Sequence, residues 1–230
     1  MTALRSRPGP LHVALLVLLA GWACDPGPAR VLLVGDSITA GNVSEPKGPP
    51  YPELLAASLG KEIAIEVAAC SGSTAWDWRP SADPMSCAGE WTAPNPYVAL
   101  AIPGLPADAA VVLLGTNDSA GAWAAQRTAD DYEAALREIV TGLLADGADR
   151  VVLMTPPPVY HRLKRYVRLQ DLRLRVQAIC DDVSGVICGP DLYRLLVRED
   201  FEPGNVHPNA AGHAKIARAL GETLGAPTSR

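Results

Sequence analysis

No run of lysines or arginines longer than the pair Lys164-Arg165 occurs in the 230 residues, and acids outnumber Lys and Arg by 25 to 20, for a formal charge of −5. A surface of that sign repels phosphate backbones, and no basic stretch interleaved with aromatics offsets it, which argues against nucleic acid as a partner. No apolar run reaches the roughly twenty residues that a bilayer crossing needs. No internal repeat, heptad or low-complexity tract is present, so solenoids and coiled coils are set aside. Charged residues make up only 20% against 48% hydrophobic, a balance that supports a buried core and not a disordered chain. What remains is one α/β domain's worth of sequence, expected as a monomer.

The N-terminus has its own character. Arg5 and Arg7 precede a short apolar stretch, Leu11–Ala20, and small residues then lead to Cys24. That order reads as an export signal over residues 1–24, with a domain over 25–230 that is secreted, periplasmic or lipid-anchored. Ala23 at −1 and Gly21 at −3 suit ordinary signal cleavage. Leu19–Cys24 also resembles a bacterial lipobox, although Gly21 stands where that pattern has leucine. Contact with a membrane is expected only through such an anchor at Cys24. Five cysteines leave one over. With Cys24 beside the signal, Cys70, Cys87, Cys180 and Cys188 are left for two disulfides in an oxidising compartment. Of three pairings, the sequence-local one, Cys70–Cys87 with Cys180–Cys188, is expected.

Apolar runs at Arg30–Gly35, Ile63–Ala69, Ala109–Gly115, Val151–Met154 and, more weakly, Gly185–Cys188 read as buried strands. Helical stripes lie between them. Tyr132, Leu136, Ile139 and Leu143 follow a 4-3-4 spacing behind a Thr128/Asp131 cap, and Gly147 follows the end. Leu169, Leu172, Val176 and Ile179 form a second stripe, with Arg168, Asp171, Arg173 and Arg175 expected to face away. A short helix over Glu53–Leu59 and a last one from near Asn209, carrying Ile216, Leu220 and Leu224, complete the set. Alternating strands and helices predict a three-layer α/β/α fold with a mostly parallel five-stranded sheet. Ala75–Pro106 breaks the rhythm and reads as a long loop rich in Trp, Pro and Ser.

Ligands of such sheets bind beyond the carboxyl ends of the strands. Four polar clusters fall at that edge: Gly35-Asp36-Ser37, Ser71-Gly72, Gly115-Thr-Asn117-Asp118, and His207-Pro-Asn209 ahead of the last helix. A serine there is a weak nucleophile until an imidazole takes its proton. The oxyanion formed by attack on an ester needs fixed donors, which the backbone N–H of Gly72 and the amide of Asn117 can supply.

With these blocks in this order, the chain resembles the SGNH hydrolases, also called GDSL esterases. Gly35-Asp-Ser-Ile-Thr-Ala-Gly41 is similar to their first block, Ser71-Gly72 to the second, Gly115–Asp118 to the third and His207-Pro-Asn-Ala-Ala-Gly212 to the fifth. The resemblance implies Ser37 as nucleophile, His207 as general base and then acid, and an oxyanion hole from the Ser37 and Gly72 N–H groups and the Asn117 amide. It implies a flavodoxin-like fold, no metal and no cofactor. Asp36 and Asp118 are the neighbouring motif residues. His161 and His213 match no motif and read as surface or packing residues.

One position departs from the family pattern. The aspartate usual three residues before the histidine is Gly204 here, within Phe201-Glu-Pro-Gly-Asn-Val-His207. Glu202 or Asp200 reaching the ring from a shifted loop, a Ser–His pair without an acid, and a weak or purely carbohydrate-binding relative are the alternatives. The expected substrates are short-chain or acetyl esters, carbohydrate acetyl groups among them, with Trp76, Trp78 and Trp91 as candidate sugar platforms. A lysophospholipase- or thioesterase-like lipid hydrolase is the alternative.

Overall fold

β1, Ala29–Gly35, is the organising strand of the computed structural model, which describes residues 29–61, 63–83, 104–225 and a few positions between 85 and 99. Its side chains alternate between two apolar layers, and strands on either side protect its backbone. It pairs in parallel with β2, Ile63–Ala69, on one side and with β5, Ala109–Leu113, on the other. β6, Val151–Leu153, and β7, Val186–Cys188, extend the sheet, giving the order β2-β1-β5-β6-β7 with every pairing parallel. The expected three-layer fold is present.

Leu32, Val34, Val112 and Leu153 point into one layer, where α3, Ala129–Ala145, and α4, Leu163–Asp182, present Leu136, Ile139, Leu172 and Val176. Val31, Leu33, Val111 and Leu113 point into the other, against Tyr51 and Leu55 of α1, Tyr51–Leu59, and Ile216 and Leu220 of α6, Ala210–Gly225. Burial of such side chains at about 25 cal/mol per Å² drives the assembly. The Thr128/Asp131 capping box opens α3 as expected, and Gly147 follows its end with φ 110°.

The structure adds what periodicity could not supply. Residues within Ala75–Pro106 include a 3-10 turn, Ala75–Trp78, and the antiparallel pair β3, Met85–Ser86, with β4, Thr92–Ala93. α2, Gly121–Gln126, and α5, Leu192–Leu195, were not anticipated either. Both are too short to carry an apolar stripe. Cys180 and Cys188 are disulfide-bonded, tying the end of α4 to β7. Cys70 is also disulfide-bonded; Cys87 lies outside the described residues, as do Cys24 and the proposed signal. Among the described residues no helix is long and apolar enough to cross a membrane.

Arg173 corrects the sequence reading of α4. It does not face away but is 5% exposed, and its Nε donates to Asp191 Oδ2 at 2.7 Å. Asp191 Oδ1 accepts from the Thr155 hydroxyl at 2.9 Å, so the pair fixes the loop after β6. A buried guanidinium left without its carboxylate is expensive. Asp191→Ala is expected to lower stability by about 2–3 kcal/mol, discounted because Asp191 is itself partly exposed. The thermal midpoint would fall by about 5–10 °C at this chain length; a drop of under about 2 °C in calorimetry would contradict this account.

Candidate active site

Register places the polar blocks side by side. Gly35 pairs with Ala69 across β1–β2 and with Leu113 across β1–β5, so three strands end in one row. Beyond Gly35 the chain turns sharply, with Ala40 N–H donating to Asp36 O and Asn42 N–H to Ser37 O, both at 2.9 Å. Gly35 is required there, because a Cβ would collide with the Thr39 side chain and come within 2.9 Å of Leu113 O. Thr39 in turn shares a 2.9 Å hydrogen bond with the buried Tyr51 hydroxyl. Ser37 thus sits at the lip of the sheet, 7% exposed, on a turn that cannot shift freely.

His207 reaches it from a position 170 residues away. Its Nε2 lies 2.9 Å from Ser37 Oγ. The His207-Pro-Asn-Ala-Ala-Gly212 block shows why that sequence suits the task. Asn209 Oδ1 caps α6 by accepting from Gly212 N–H at 3.1 Å, while its Nδ2 donates to Glu199 O at 2.9 Å. Asn209 N–H donates to Asp200 O at 2.7 Å. Gly212 leaves room where a Cβ would lie 2.7 Å from Pro208 and 2.8 Å from Asp200 O. The segment is then tied to the serine loop, with Ser44 N–H donating to Pro208 O at 3.0 Å and Ala210 N–H to Pro46 O at 3.1 Å. His213 supplies a link that sequence reasoning left as packing: its Nδ1 accepts from Tyr51 N–H at 3.0 Å and its Nε2 donates to Asn42 O at 3.1 Å. Burial pushes His213 down to about 4, so the ring stays neutral. The signal available in the sequence was its place one turn into α6, on the face of Ile216 and Leu220.

The donors gather at the same edge. Gly72 adopts φ 84° in an exposed turn closed by Ser73 N–H donating to Cys70 O at 3.2 Å. Among the described residues, neither the Ser37 nor the Gly72 backbone N–H meets an acceptor. Asn117 Nδ2 donates to Ser73 O at 2.8 Å, which locks the third block to the second and leaves one amide hydrogen to point elsewhere. Asp118 performs a similar task, its carboxylate accepting from Ala75 N–H at 3.1 Å.

The expected orienting acid is not brought to the ring. Among the described residues, His207's only side-chain partner is Ser37; its backbone N–H donates to Asn205 Oδ1 at 3.0 Å. Asp200 is buried and held by Lys215 at 2.8 Å and by Val197 N–H. Glu202 begins the tight turn closed by Asn205 N–H donating to Glu202 O at 3.0 Å, which sets its side chain in the wall of a neighbouring cavity. Gly204, with φ 79° and open space around it, offers no substitute. Burial alone lowers the His207 pKa below its ordinary value, keeping the ring neutral and ready to accept a proton.

Two of the three tryptophans are not free platforms. Trp78 is fully buried and donates its indole N–H to Ser73 Oγ at 2.8 Å. The Trp76 ring is covered by Arg79, 3.5 Å from its centroid, with Arg127 at 4.3 Å. Trp91 lies outside the described residues.

With this geometry in hand, the comparisons with known proteins decide the family. A GDSL-like lipase/acylhydrolase family model matches residues 33–215. The chain belongs to that family. It is therefore an SGNH-type serine esterase, and the matched span contains all four blocks. Among solved structures, an aryl esterase from M. smegmatis is 21% identical with a TM-score of 0.67, covering 85% of this chain and 98% of that one. An acetylxylan esterase from Geobacillus stearothermophilus is 20% identical with a TM-score of 0.67, covering 89% and 99%. A carbohydrate acetylesterase from Sinorhizobium meliloti is 19% identical with a TM-score of 0.66, covering 85% and 98%. At these identities the likeness establishes the shared fold. Among curated proteins no sequence match is found.

Asp36, buried beside Ser37, has a second consequence. Its Oδ1 accepts from Ile38 N–H at 2.9 Å, but Oδ2 is buried without a formed hydrogen bond beside Thr116, whose hydroxyl is likewise unpaired. Desolvation raises the Asp36 pKa from 3.8 to about 7. The folded state therefore holds this proton better than the unfolded chain does. The stabilisation it gives is complete below about pH 4 and is lost as pH rises through 7. Asp36→Asn keeps the amide neutral throughout, so its melting temperature relative to wild type should climb between pH 4 and pH 8. A gap that stays flat or narrows over that range would refute the account.

Proposed function

We propose that Ser37 and His207 hydrolyse short acyl esters of carbohydrates in an exported protein. The 2.9 Å contact between Ser37 Oγ and His207 Nε2 carries this reading. His207 takes the hydroxyl proton as Oγ bonds to the acyl carbon. The oxyanion is met by the N–H groups of Ser37 and Gly72 and by the Asn117 amide. The imidazolium returns its proton to the departing alcohol, leaving acyl-Ser37, and water activated by His207 then releases the acid.

A Ser–His pair without an orienting carboxylate fits the ring's surroundings better than a role for Glu202. The mixed wall of the cavity of about 330 Å³ beside the His207 loop supports a sugar as the alcohol: Arg198, Glu199, Glu202 and Asn205 offer polar groups, and Tyr160, Phe201 and Pro203 offer apolar faces for a ring. An alkyl chain would leave those groups desolvated and unpaired. Two of the similar structures act on acetylated carbohydrate by their own descriptions, which agrees with an acetyl group as the unit transferred to Ser37. The disulfides at Cys180–Cys188 and at Cys70 suit an oxidising compartment, consistent with the charged and apolar order of residues 1–24.

4-Nitrophenyl esters of increasing chain length test the reading. Turnover is expected to favour acetate, and Ser37→Ala or His207→Ala should each lower kcat by at least about a thousandfold. kcat/KM should rise along a single acid limb with its midpoint below 6.5, the ordinary histidine value. Glu202→Gln should stay within about twofold of wild type, whereas loss of a true orienting acid costs roughly ten-thousandfold. Serine-independent turnover, or a large Glu202 effect, would overturn the assignment.

A further inference from the structure

The N-terminal turns of α4 concentrate positive charge that no carboxylate among the described residues pairs with directly. Among the described residues, Arg162, Lys164, Arg165 and Arg168 form no ion pair with a carboxylate. Farther along the same helix the pattern reverses: Arg173 pairs with Asp191, and Arg175 with Asp130 and Glu133. A chain with a net charge of −5 has acids enough to cover four more cations. Arg165 and Arg168 are instead held by neutral acceptors. Arg165 donates to Thr116 O at 2.6 Å and Ser119 Oγ at 3.0 Å, and Arg168 to Asp118 O at 3.0 Å and Arg127 O at 2.8 Å. These bonds fix the guanidinium groups in place without a direct carboxylate partner, and Asp36 and Asp131 act on them only from a distance. The helix start adds partial charge of the same sign.

The four cations line an open groove of about 860 Å³ between α4 and α2, floored by the small residues Gly121 and Ala124. His161 walls this groove and also the cavity of about 330 Å³ beside the His207 loop, so the two spaces meet at one side chain. Each is lined by a residue close in sequence to the site. Ser119 lies two residues after Asn117, and Asn205 two residues before His207. The path so defined joins the loop that carries an oxyanion donor to the loop that carries the base.

We propose that this groove receives an anionic group, carboxylate or phosphate, on the alcohol part of the substrate, so that the preferred ester is borne by an acidic carbohydrate. The inference rests on the esterase reading above and adds the substrate's charge to it. A membrane surface is the other way to satisfy a basic patch, and Leu163, 75% exposed, stands beside it. The arrangement favours a small anion nonetheless. Arg165 and Arg168 are recessed in a concave wall, where a planar array of headgroups cannot follow them.

Acetate release by the full chain is measured from O-acetylated oligogalacturonate, O-acetylated xylo-oligosaccharide and acetylated glucose 6-phosphate, with 4-nitrophenyl acetate as the neutral reference. The acidic substrates should exceed the xylo-oligosaccharide by about tenfold in kcat/KM at low salt. The gap should lie in KM and shrink at about 0.5 M salt, where screening is strong. Arg162→Gln/Lys164→Gln removes two exposed cations that hold no structural bond, and should erase the gap while leaving 4-nitrophenyl acetate turnover unchanged. Whichever of the galacturonate and phosphate arms shows the larger gap identifies the anion. Equal rates on acidic and neutral substrates, with 4-nitrophenyl acetate still turned over, overturn this inference alone. So does binding to phosphatidylglycerol vesicles that the double variant abolishes without any substrate preference. Failure on every ester, 4-nitrophenyl acetate included, counts against the esterase reading. The groove is then judged by calorimetry with Ser37→Ala, which must bind oligogalacturonate more tightly than xylo-oligosaccharide for the inference to stand.

Discussion

Everything at the site depends on the register of β1 against its two neighbours. Because Gly35, Ala69 and Leu113 share a row, the turns that follow each strand open at the same height. A one-residue slip in a sheet sends every side chain to the opposite face. Here it would exchange the layer of Leu32 and Val34 with that of Val31 and Leu33, and both layers are packed by helices. Register is thus held by burial on two faces, at a cost no single polar contact could match. The serine turn, the Gly72 turn and the Asn117 loop inherit their spacing from it. Local ties then refine the placement, such as Asn117 to Ser73 O and Ser44 N–H to Pro208 O. Each such bond is worth only about 1 kcal/mol net, so they adjust a site whose position the core has already set.

The carboxylates around the site separate into two kinds. Asp200 and Asp191 hold their charges against Lys215 and Arg173, and both pairs position backbone that leads to His207 or to the loop after β6. Asp36 and Asp118 are buried with backbone donors as their hydrogen-bond partners, and desolvation raises both to about 7. Each raises the other's cost of ionisation, since a second negative charge nearby is unfavourable. The charge of Arg165 near Asp36 relieves part of that cost. The basic end of α4 therefore faces inward to the motif acids as well as outward to the groove.

Much of this was legible in the sequence, and the reasons are physical. Continuous apolar runs announce strands buried on both faces, so all five core strands were placed, and Ile63–Ala69 has the bounds expected of it. The stripes of α3 and α6 and the Thr128/Asp131 box were equally visible. The four blocks name the site because each residue type meets a demand that few others can. Gly35 and Gly212 leave no space for a Cβ, Asn209 bonds with both ends of its amide, and Gly72 takes a positive φ. What stayed hidden is whatever depends on long-range partners. Arg173 looks like any exposed arginine until Asp191 is folded over it. His213 looks like packing until Asn42 and Tyr51 arrive at its two nitrogens. Trp78 looks like a platform until the core closes on it. The basic patch belongs with these: Arg162, Lys164, Arg165 and Arg168 stand within seven residues of the sequence, but only the fold shows that no carboxylate among the described residues pairs with them.

In the mechanism proposed above, the absent aspartate shifts the burden of catalysis to other groups. A carboxylate at His207 would fix the tautomer and stabilise the imidazolium formed during attack. Here the ring is placed instead by its backbone, through Asn205 and the clamps on Pro208 and Asn209, and by Ser37 itself. Placement is only half of the lost function. Burial lowers the histidine's pKa with no counter-charge opposing it, so the charged intermediate is less favourable than in a complete triad. The remaining stabilisation must act on the oxyanion, where charge also develops and where donors need no reorganisation. The structure is suited to that distribution of labour: Gly72 is exposed and its N–H meets no acceptor among the described residues, and Asn117 is immobilised through Ser73 O. In a site so arranged, binding that holds the acyl carbonyl against those donors counts for more than the strength of the base.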